Sequence, residues 1–278
     1  MSIISHLQSL SSELIITEEE RGLINQYMGT SETRLLQYFN NNQIAERFPF
    51  GSFTRKTLMP RKADSRSDVD YMVVFNPTKP THNLYGPQYT YYEPSTYISW
   101  LKSFVDARYS TSEIYTSNPT VVLQLSNFKI ELVPAIKDAL DTYSIPAPAS
   151  SYTRWMTTTP NSFNESVRRK NAAENSLIRP LIRLMKYWNA QNGYVYSSYE
   201  LEQKIVGESY YSCTTIWVYL RKFVSGLNTY SLNDTQTNKV SRLKKICADA
   251  YTYETSPWAP AGSSGEEEMK KAFPVFNR

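Results

Sequence analysis

Two aspartates separated by a single valine, Asp68-Val69-Asp70, open an apolar run that continues to Phe75. On an extended strand, residues i and i+2 project from one face, so the two carboxylates stand side by side while Val69 turns to the other face. Adjacent carboxylates repel each other and resist burial unless a cation neutralises them, and hard oxygen donors suit Mg2+. Taken alone, the pair reads more readily as a solvated strand start; its neighbours in the sequence change that. Upstream, Gly51-Ser52 follows a strand-like stretch and precedes Phe53-Thr54-Arg55-Lys56-Thr57. A Gly-Ser turn opening a short helix offers backbone N–H groups and a hydroxyl to a phosphate, and glycine lets the phosphate come close. Downstream, Phe128, Ile130 and Leu132 share one face of a strand and Glu131 takes the other. A charge there calls for an ion or for a partner such as Lys129.

The rest of the composition narrows the chemistry. Two histidines and two cysteines cannot form a zinc site of the usual N/S kind. His6 and His82 lie outside any acidic or nucleophilic cluster, so carboxylates, hydroxyls and cations are left to do the work. A net charge of +4 is too small for a protein that coats nucleic acid. With 41% apolar residues the chain can bury a large core, which excludes a disordered or fibrous protein. No apolar run is long enough to span a bilayer, and the start MSIISHLQSLSSEL lacks a basic region and a continuous apolar segment. A cytoplasmic protein is expected, with Cys213 and Cys247 as buried thiols and the sequons at Asn164 and Asn233 unused.

The elements that must position these residues can be read from periodicity. Ile3, Leu7, Leu10 and Leu14 lie at helical spacing, and Thr17-Glu18-Glu19-Glu20 is a capping box. The helix it starts predicts a stripe of Ile24, Tyr27, Met28, Leu35, Leu36 and Phe39 running to about Asn42, with Gly29 as the point where it can bend. Strands are expected at 44–50 and Val69–Phe75, then a long loop or hairpin over 76–94 and a helix over Ser95–Tyr109. Val121–Leu125 and Phe128–Val133 predict a hairpin about Ser126-Asn127 that Pro134 terminates. Residues 141–162, with Pro146, Pro148 and Pro160, read as a linker. Helices follow at 163–191, 198–206, 212–227 and 236–253, with a short one at Glu266–Phe273. The fold class is therefore α+β, a mixed-sheet half at 1–158 and a helical half at 159–278.

On one helix Arg179, Arg183 and Lys186 fall three or four residues apart, opposite Leu177, Leu181, Leu184, Met185 and Trp188. The cationic stripe either faces a cleft and neutralises a triphosphate or forms an ordinary polar face. Arg55, Lys56, Arg61, Lys62 and Arg66 form a second basic cluster. It reads either as a guide for anionic substrate or as a solvated loop.

Phe50-Gly51-Ser52, Ser67-Asp68-Val69-Asp70 and Ile130-Glu131-Leu132-Val133-Pro134 together resemble the three motifs of polymerase-β-type nucleotidyltransferases. The nearest branch holds cyclic GMP–AMP synthase, 2′–5′ oligoadenylate synthetase and the bacterial CD-NTases. Leu181–Trp188, followed by Ser197-Ser198-Tyr199-Glu200-Leu201-Glu202, is similar to the branch's second-lobe signature, and Phe273-Pro274 to its C-terminus. Two features depart from the pattern. The gap from Ser52 to Asp68 is long, with Arg61–Arg66 as an apparent insertion, and the third acid is Glu131 where the family generally has Asp.

The resemblance implies a catalytic lobe and a helical lobe with a cleft between them. Asp68, Asp70 and Glu131 would hold two Mg2+ (or Mn2+) ions roughly 3.5–4 Å apart, as two-metal sites do. Gly51, Ser52, Lys186 and Ser198 would grip nucleotide phosphates, and Tyr199 would stack on a base or, alternatively, pack in the core. The implied function joins nucleoside triphosphates (ATP, GTP or others) into a cyclic di- or trinucleotide messenger for antiphage signalling through a downstream effector. The protein would act as a monomer or homodimer without membrane or nucleic acid. Two alternatives stand beside it: a toxin or resistance enzyme that nucleotidylates a protein, tRNA or antibiotic, and an inactive nucleotide-binding sensor.

Overall fold

The computed structural model describes residues 2–277 apart from 41, 84–85, 110–113, 118–119, 125–128, 148–150 and 152. The expected turn at Ser126-Asn127, with the flanking Leu125 and Phe128, lies outside the described residues. The chain divides into two compact units. One comprises Thr17–Arg55 and Ser67–Asn164; the other comprises Met1–Ile16, Lys56–Arg66 and Glu165–Arg278. Among the described residues no helix is long and apolar enough to cross a membrane.

The first unit is built on a mixed sheet. Strands β1 (Ile44–Pro49), β2 (Val69–Phe75), β5 (Ile114–Ser117), β6 (Thr120–Gln124) and β7 (Lys129–Lys137) lie in the order β1-β2-β7-β6-β5. β8 (Tyr143–Pro146) extends from β7 and carries β9 (Trp155–Thr158), while β3 (Lys79–Asn83) and β4 (Gly86–Thr90) pair separately as a hairpin. Among the described residues, only β2 and β7 pair in parallel in this sheet, and they lie at its middle.

Two helices flank the sheet. The capping box is present: Glu20 N–H donates to Thr17 Oγ1 at 3.0 Å and Thr17 N–H donates to Glu20 Oε2 at 2.6 Å. It opens α2 (Glu18–Tyr38). Phe75 on β2 meets Tyr97 and Trp100 of α4 (Pro94–Arg108), and Phe39 meets Phe75 and Phe104. Burying Phe75 and Phe104 completely contributes about 1.5–3 kcal/mol each. Alternation along β2 places Val69, Tyr71, Val73 and Phe75 on this helix-covered side. Asp70, Met72 and Val74 take the opposite face, where Met72, Val74 and Ala135 pack with Phe48, Phe50, Tyr143 and Ile145.

The helical unit is organised around α6 (Ile178–Gln191), which is buried from Leu181 to Asn189. Helix α1 (Ile3–Glu13) lies in this unit, and His6 Nε2 is bonded to the Phe273 carbonyl at 2.8 Å. The division between units falls within α5 (Pro160–Ala173). α7 (Ser198–Gly207), α8 (Ile216–Gly226), α9 (Asp234–Thr255) and α10 (Gly265–Lys270) complete the unit.

Several expectations are corrected. The stretch 163–191 is two helices, because Asn175 and Ser176 adopt left-handed backbone (φ 50° and 62°) and break the ladder without a glycine. The 141–162 linker contains β8 and β9, strands too short and too closely bounded by prolines for alternation to show. β7 continues through Pro134, which falls in the gap between the Val121↔Leu132 and Ile136↔Ser144 pairings, where a missing N–H is tolerated. Helix α2 ends at Tyr38 and leaves Leu36 exposed.

Candidate active site

The parallel ladder between β2 and β7 sets the site. Its register pairs Asp70 with Glu131, Met72 with Val133 and Val74 with Ala135. Paired residues in a ladder share a face, so the two acids stand next to each other at one end of an otherwise apolar surface. Asp68, two residues before Asp70, completes the group and hydrogen-bonds the Glu131 side chain. Thr120, at the start of β6, donates to Glu131 Oε2 at 3.0 Å and is itself 5% exposed.

These neighbours decide the state of the third acid. Burial pushes the Glu131 carboxyl above the usual carboxylate range. The hydrogen bond with Asp68 opposes that rise, the negative charge of Asp70 adds to it, and the Thr120 hydroxyl opposes it. Lys129 exerts the smallest of these pulls.

The Gly-Ser turn is locked onto the same strand. Phe50 N–H donates to the Asp70 carbonyl at 3.0 Å, which holds the end of β1 against β2 as α3 (Gly51–Arg55) begins. Gly51 has φ +72°, and a Cβ built there would fall on the Asp70 carboxylate, 2.9 Å from its Cγ. Glycine is therefore required twice, for its backbone and for the room it leaves Asp70. Thr54 Oγ1 caps back to the Gly51 carbonyl at 2.9 Å, and Asn164 Nδ2 donates to Thr54 Oγ1 at 3.0 Å. Arg55 reaches Asn164 at 3.3 Å and lies over the Phe163 ring. Arg55 was visible in the sequence as part of a basic cluster after the Gly-Ser turn, whereas nothing local marked Thr120 or Asn164 as members of this group. Thr120 was detectable only as a hydroxyl at the start of a strand predicted to neighbour Glu131.

In the helical unit the expected phosphate-binding residues fare differently. Ser198 is the first residue of α7, after an N-cap in which Ser197 Oγ accepts from Glu200 N–H at 3.2 Å. Tyr199 is 50% exposed, so it is not a core tyrosine. Lys186 is 5% exposed; its Nζ donates to the Thr57 carbonyl at 3.2 Å and lies 3.6 Å from Glu202 Oε1. Glu202 also accepts from Thr57 Oγ1 at 2.8 Å. Arg183 donates to the Ser11 and Lys56 carbonyls at 3.0 and 3.2 Å, and burial beside Arg179 lowers its pKa to about 10. Arg183 and Lys186 of the expected cationic stripe thus hold backbone carbonyls.

Two of those carbonyls belong to the basic segment Lys56–Arg66, a loop that exposes Lys56, Lys62 and Arg66 while its buried residues anchor it. Leu58, Met59 and Ala63 are buried, and buried Asp64 accepts from Tyr194 Oη at 2.7 Å and from Arg66 N–H at 3.0 Å. The Arg66 guanidinium lies over the Tyr194 ring at 3.8 Å.

Three carboxylates on one sheet face are the hard-oxygen donor set that Mg2+ and Mn2+ take. Among the described residues no group of three or more His, Cys, Asp or Glu side chains is arranged to hold a metal ion as it stands. The Asp68 and Glu131 side chains lie within hydrogen-bonding reach of each other. The set fits a cation in chemistry and register, with that carboxyl–carboxyl contact as the one to be exchanged.

Residues 1–171 match the family model of the Second Messenger Oligonucleotide or Dinucleotide Synthetase domain, SMODS. The chain belongs to the SMODS family. It is accordingly a member of the CD-NTase group of nucleotidyltransferases. A probable cyclic nucleotide synthase of Bacillus cereus is 24% identical over 228 residues, covering 69% of this chain and 66% of the relative, just under two thirds of its length. Among solved structures, a mutant of the Vibrio cholerae di-nucleotide cyclase DncV in complex with ATP, GTP and 5MTHFGLU2 superposes with a TM-score of 0.67 at 12% identity, covering 96% of each chain. Escherichia coli CdnC with ATP gives a TM-score of 0.66 at 12% identity over 98% of each chain. These likenesses bear out the α+β, polymerase-β-like fold.

Proposed function

We propose that this chain is a divalent-cation-dependent nucleotidyltransferase that joins nucleoside triphosphates into a cyclic di- or trinucleotide, releasing pyrophosphate. The observation that carries it is the pairing of Asp70 with Glu131 across the parallel ladder, with Asp68 bonded to the same glutamate. Family membership and the nucleotides bound by CdnC and DncV support the choice of substrate.

In the reaction an acceptor ribose hydroxyl attacks the α-phosphorus of a nucleoside triphosphate. The new P–O bond forms as the bond to the bridging oxygen of the β-phosphate breaks, and pyrophosphate carries away the electron pair. Asp68, Asp70 and Glu131 would hold Mg2+ or Mn2+, which when bound supplies positive charge against that developing on the phosphoryl oxygens. The Gly51-Ser52 turn presents N–H groups and a hydroxyl to the phosphates beside the acids. Ser198 would contact phosphate, and Tyr199 would stack its exposed ring on a base. Lys186 would act indirectly, by fixing Thr57 and the segment that leads to Asp68. No histidine base is required, because the acceptor proton can pass to a carboxylate of the site or to solvent.

By family likeness the product serves antiphage signalling in the cytoplasm through an effector that reads it. Incubation with the four nucleoside triphosphates and Mg2+ or Mn2+, followed by chromatography and mass spectrometry with and without phosphatase, tests this. A phosphatase-resistant cyclic product formed without a further acceptor supports the proposal. Nucleotide incorporation only when a protein, tRNA or antibiotic is added points to the toxin or resistance enzyme instead.

A further inference from the structure

We propose that Thr120 is a positioning residue for the third acid, holding the Glu131 carboxylate in the orientation in which it can join Asp68 and Asp70 around a divalent cation. The inference rests on the functional reading above and concerns a residue outside its three acids.

Glutamate reaches its carboxylate through two methylene groups, so its position in the strand fixes the direction of the side chain but not the plane of the carboxylate. Asp70, with one methylene fewer, is confined by the close approach of Gly51. Glu131, one methylene longer, has the greater choice of carboxylate orientations. Its fixture is the Thr120 hydroxyl, which donates to Oε2 at 3.0 Å from the neighbouring strand, opposite to β2 in the sheet. Glu131 is thereby flanked on both sides, by Thr120 from β6 and by Asp70 from β2. Thr120 is 5% exposed, so water does not compete freely for the bond. Its methyl group and β-branching suit the strand on their own, which leaves the hydroxyl as the part that packing does not explain. Groups that hold a metal ligand in place, without touching the metal, commonly change metal affinity by about 10–100-fold when removed.

Thr120→Val keeps the shape and β-branching and deletes only the donor, and Thr120→Ser keeps the donor. Mn2+ binding to the whole protein without nucleotide, followed by electron paramagnetic resonance of free Mn2+, is the direct readout. Asp70→Asn defines which binding belongs to the acidic site. Thr120→Val should weaken Asp70-dependent Mn2+ binding about tenfold or more, with an unchanged far-UV spectrum, and Thr120→Ser should stay within about threefold of the parent. In turnover, Thr120→Val should lower kcat and raise the Mn2+ requirement, with little change in KM for nucleotide. Mn2+ affinity in Thr120→Val equal to the parent, or Thr120→Ser as weak as Thr120→Val, overturns the role of Thr120 while leaving the acidic site intact. If the parent shows no Mn2+ binding that Asp70→Asn removes, the cation reading itself fails and takes this role with it.

Discussion

Asp70 and Glu131 face each other across the parallel pairing of β2 and β7, and Gly51 closes against Asp70 from the end of the neighbouring strand. Three segments distant in sequence thus meet at a point defined by backbone register. Consequences for activity and stability follow from that meeting.

Gly51→Ala should leave a folded protein with little activity. Alanine at φ +72° is strained by about 1 kcal/mol, and its methyl group would displace the Asp70 carboxylate. A displacement of about 1 Å at a reacting centre costs on the order of 100-fold. Pyrophosphate release measured beside circular dichroism checks this; a variant with near-parent turnover would show that Asp70 does not need its observed place.

Glu131→Gln should abolish turnover yet stabilise the cation-free protein near neutral pH. A carboxyl whose pKa is raised on folding is ionised at a cost at pH above its unfolded value. That cost develops as pH rises and is absent once the group is protonated in both states. Removing the charge should raise Tm by about 2–4 °C at pH 7, the shift expected for about 1 kcal/mol, and the gain should vanish in acid. Mg2+ or Mn2+ should stabilise the parent more than the variant. Melting curves against pH and cation would contradict this if Glu131→Gln lowered Tm at pH 7.

Lys186→Met and Glu202→Met should each destabilise strongly, because each leaves an opposite charge buried alone, at about 3–5 kcal/mol. The double variant should lose less than the sum. Urea denaturation measures all three. Little change in stability for Lys186→Met would mean that the ammonium does not serve to anchor Thr57.

The two thiols should differ in reaction with an aromatic disulfide reagent. Cys247 is 3% exposed and burial pushes its pKa to about 12, so at pH 7–8 it is a shielded thiol that reacts only on unfolding. Cys213 is part-exposed and should react first. Equal rates in the native protein would contradict the packing of α9.

Much of this was legible in the sequence for identifiable reasons. Asp68-Val69-Asp70 opens an apolar run that reads as a strand, and Gly51-Ser52 follows a strand, so local pattern sufficed for both. Glu131 was visible as an acid inside an apolar run, but its pairing with Asp70 depends on a crossover through α4 and β6 that no local pattern encodes. For Lys186 and Arg183, spacing places residues on one helix face without revealing what covers that face. Here Ser11, Lys56 and Thr57 supply the carbonyls, from segments far away in the chain. Thr120 was overlooked because its importance lies in a hydrogen bond to the next strand.

The central claim is tested most directly by pyrophosphate release from mixed nucleoside triphosphates with Mn2+, comparing the parent with Asp70→Asn. The parent should release pyrophosphate in step with a phosphatase-resistant nucleotide product, and Asp70→Asn, still folded, should release none above background. Equal release from both proteins would contradict catalysis by the paired acids of β2 and β7.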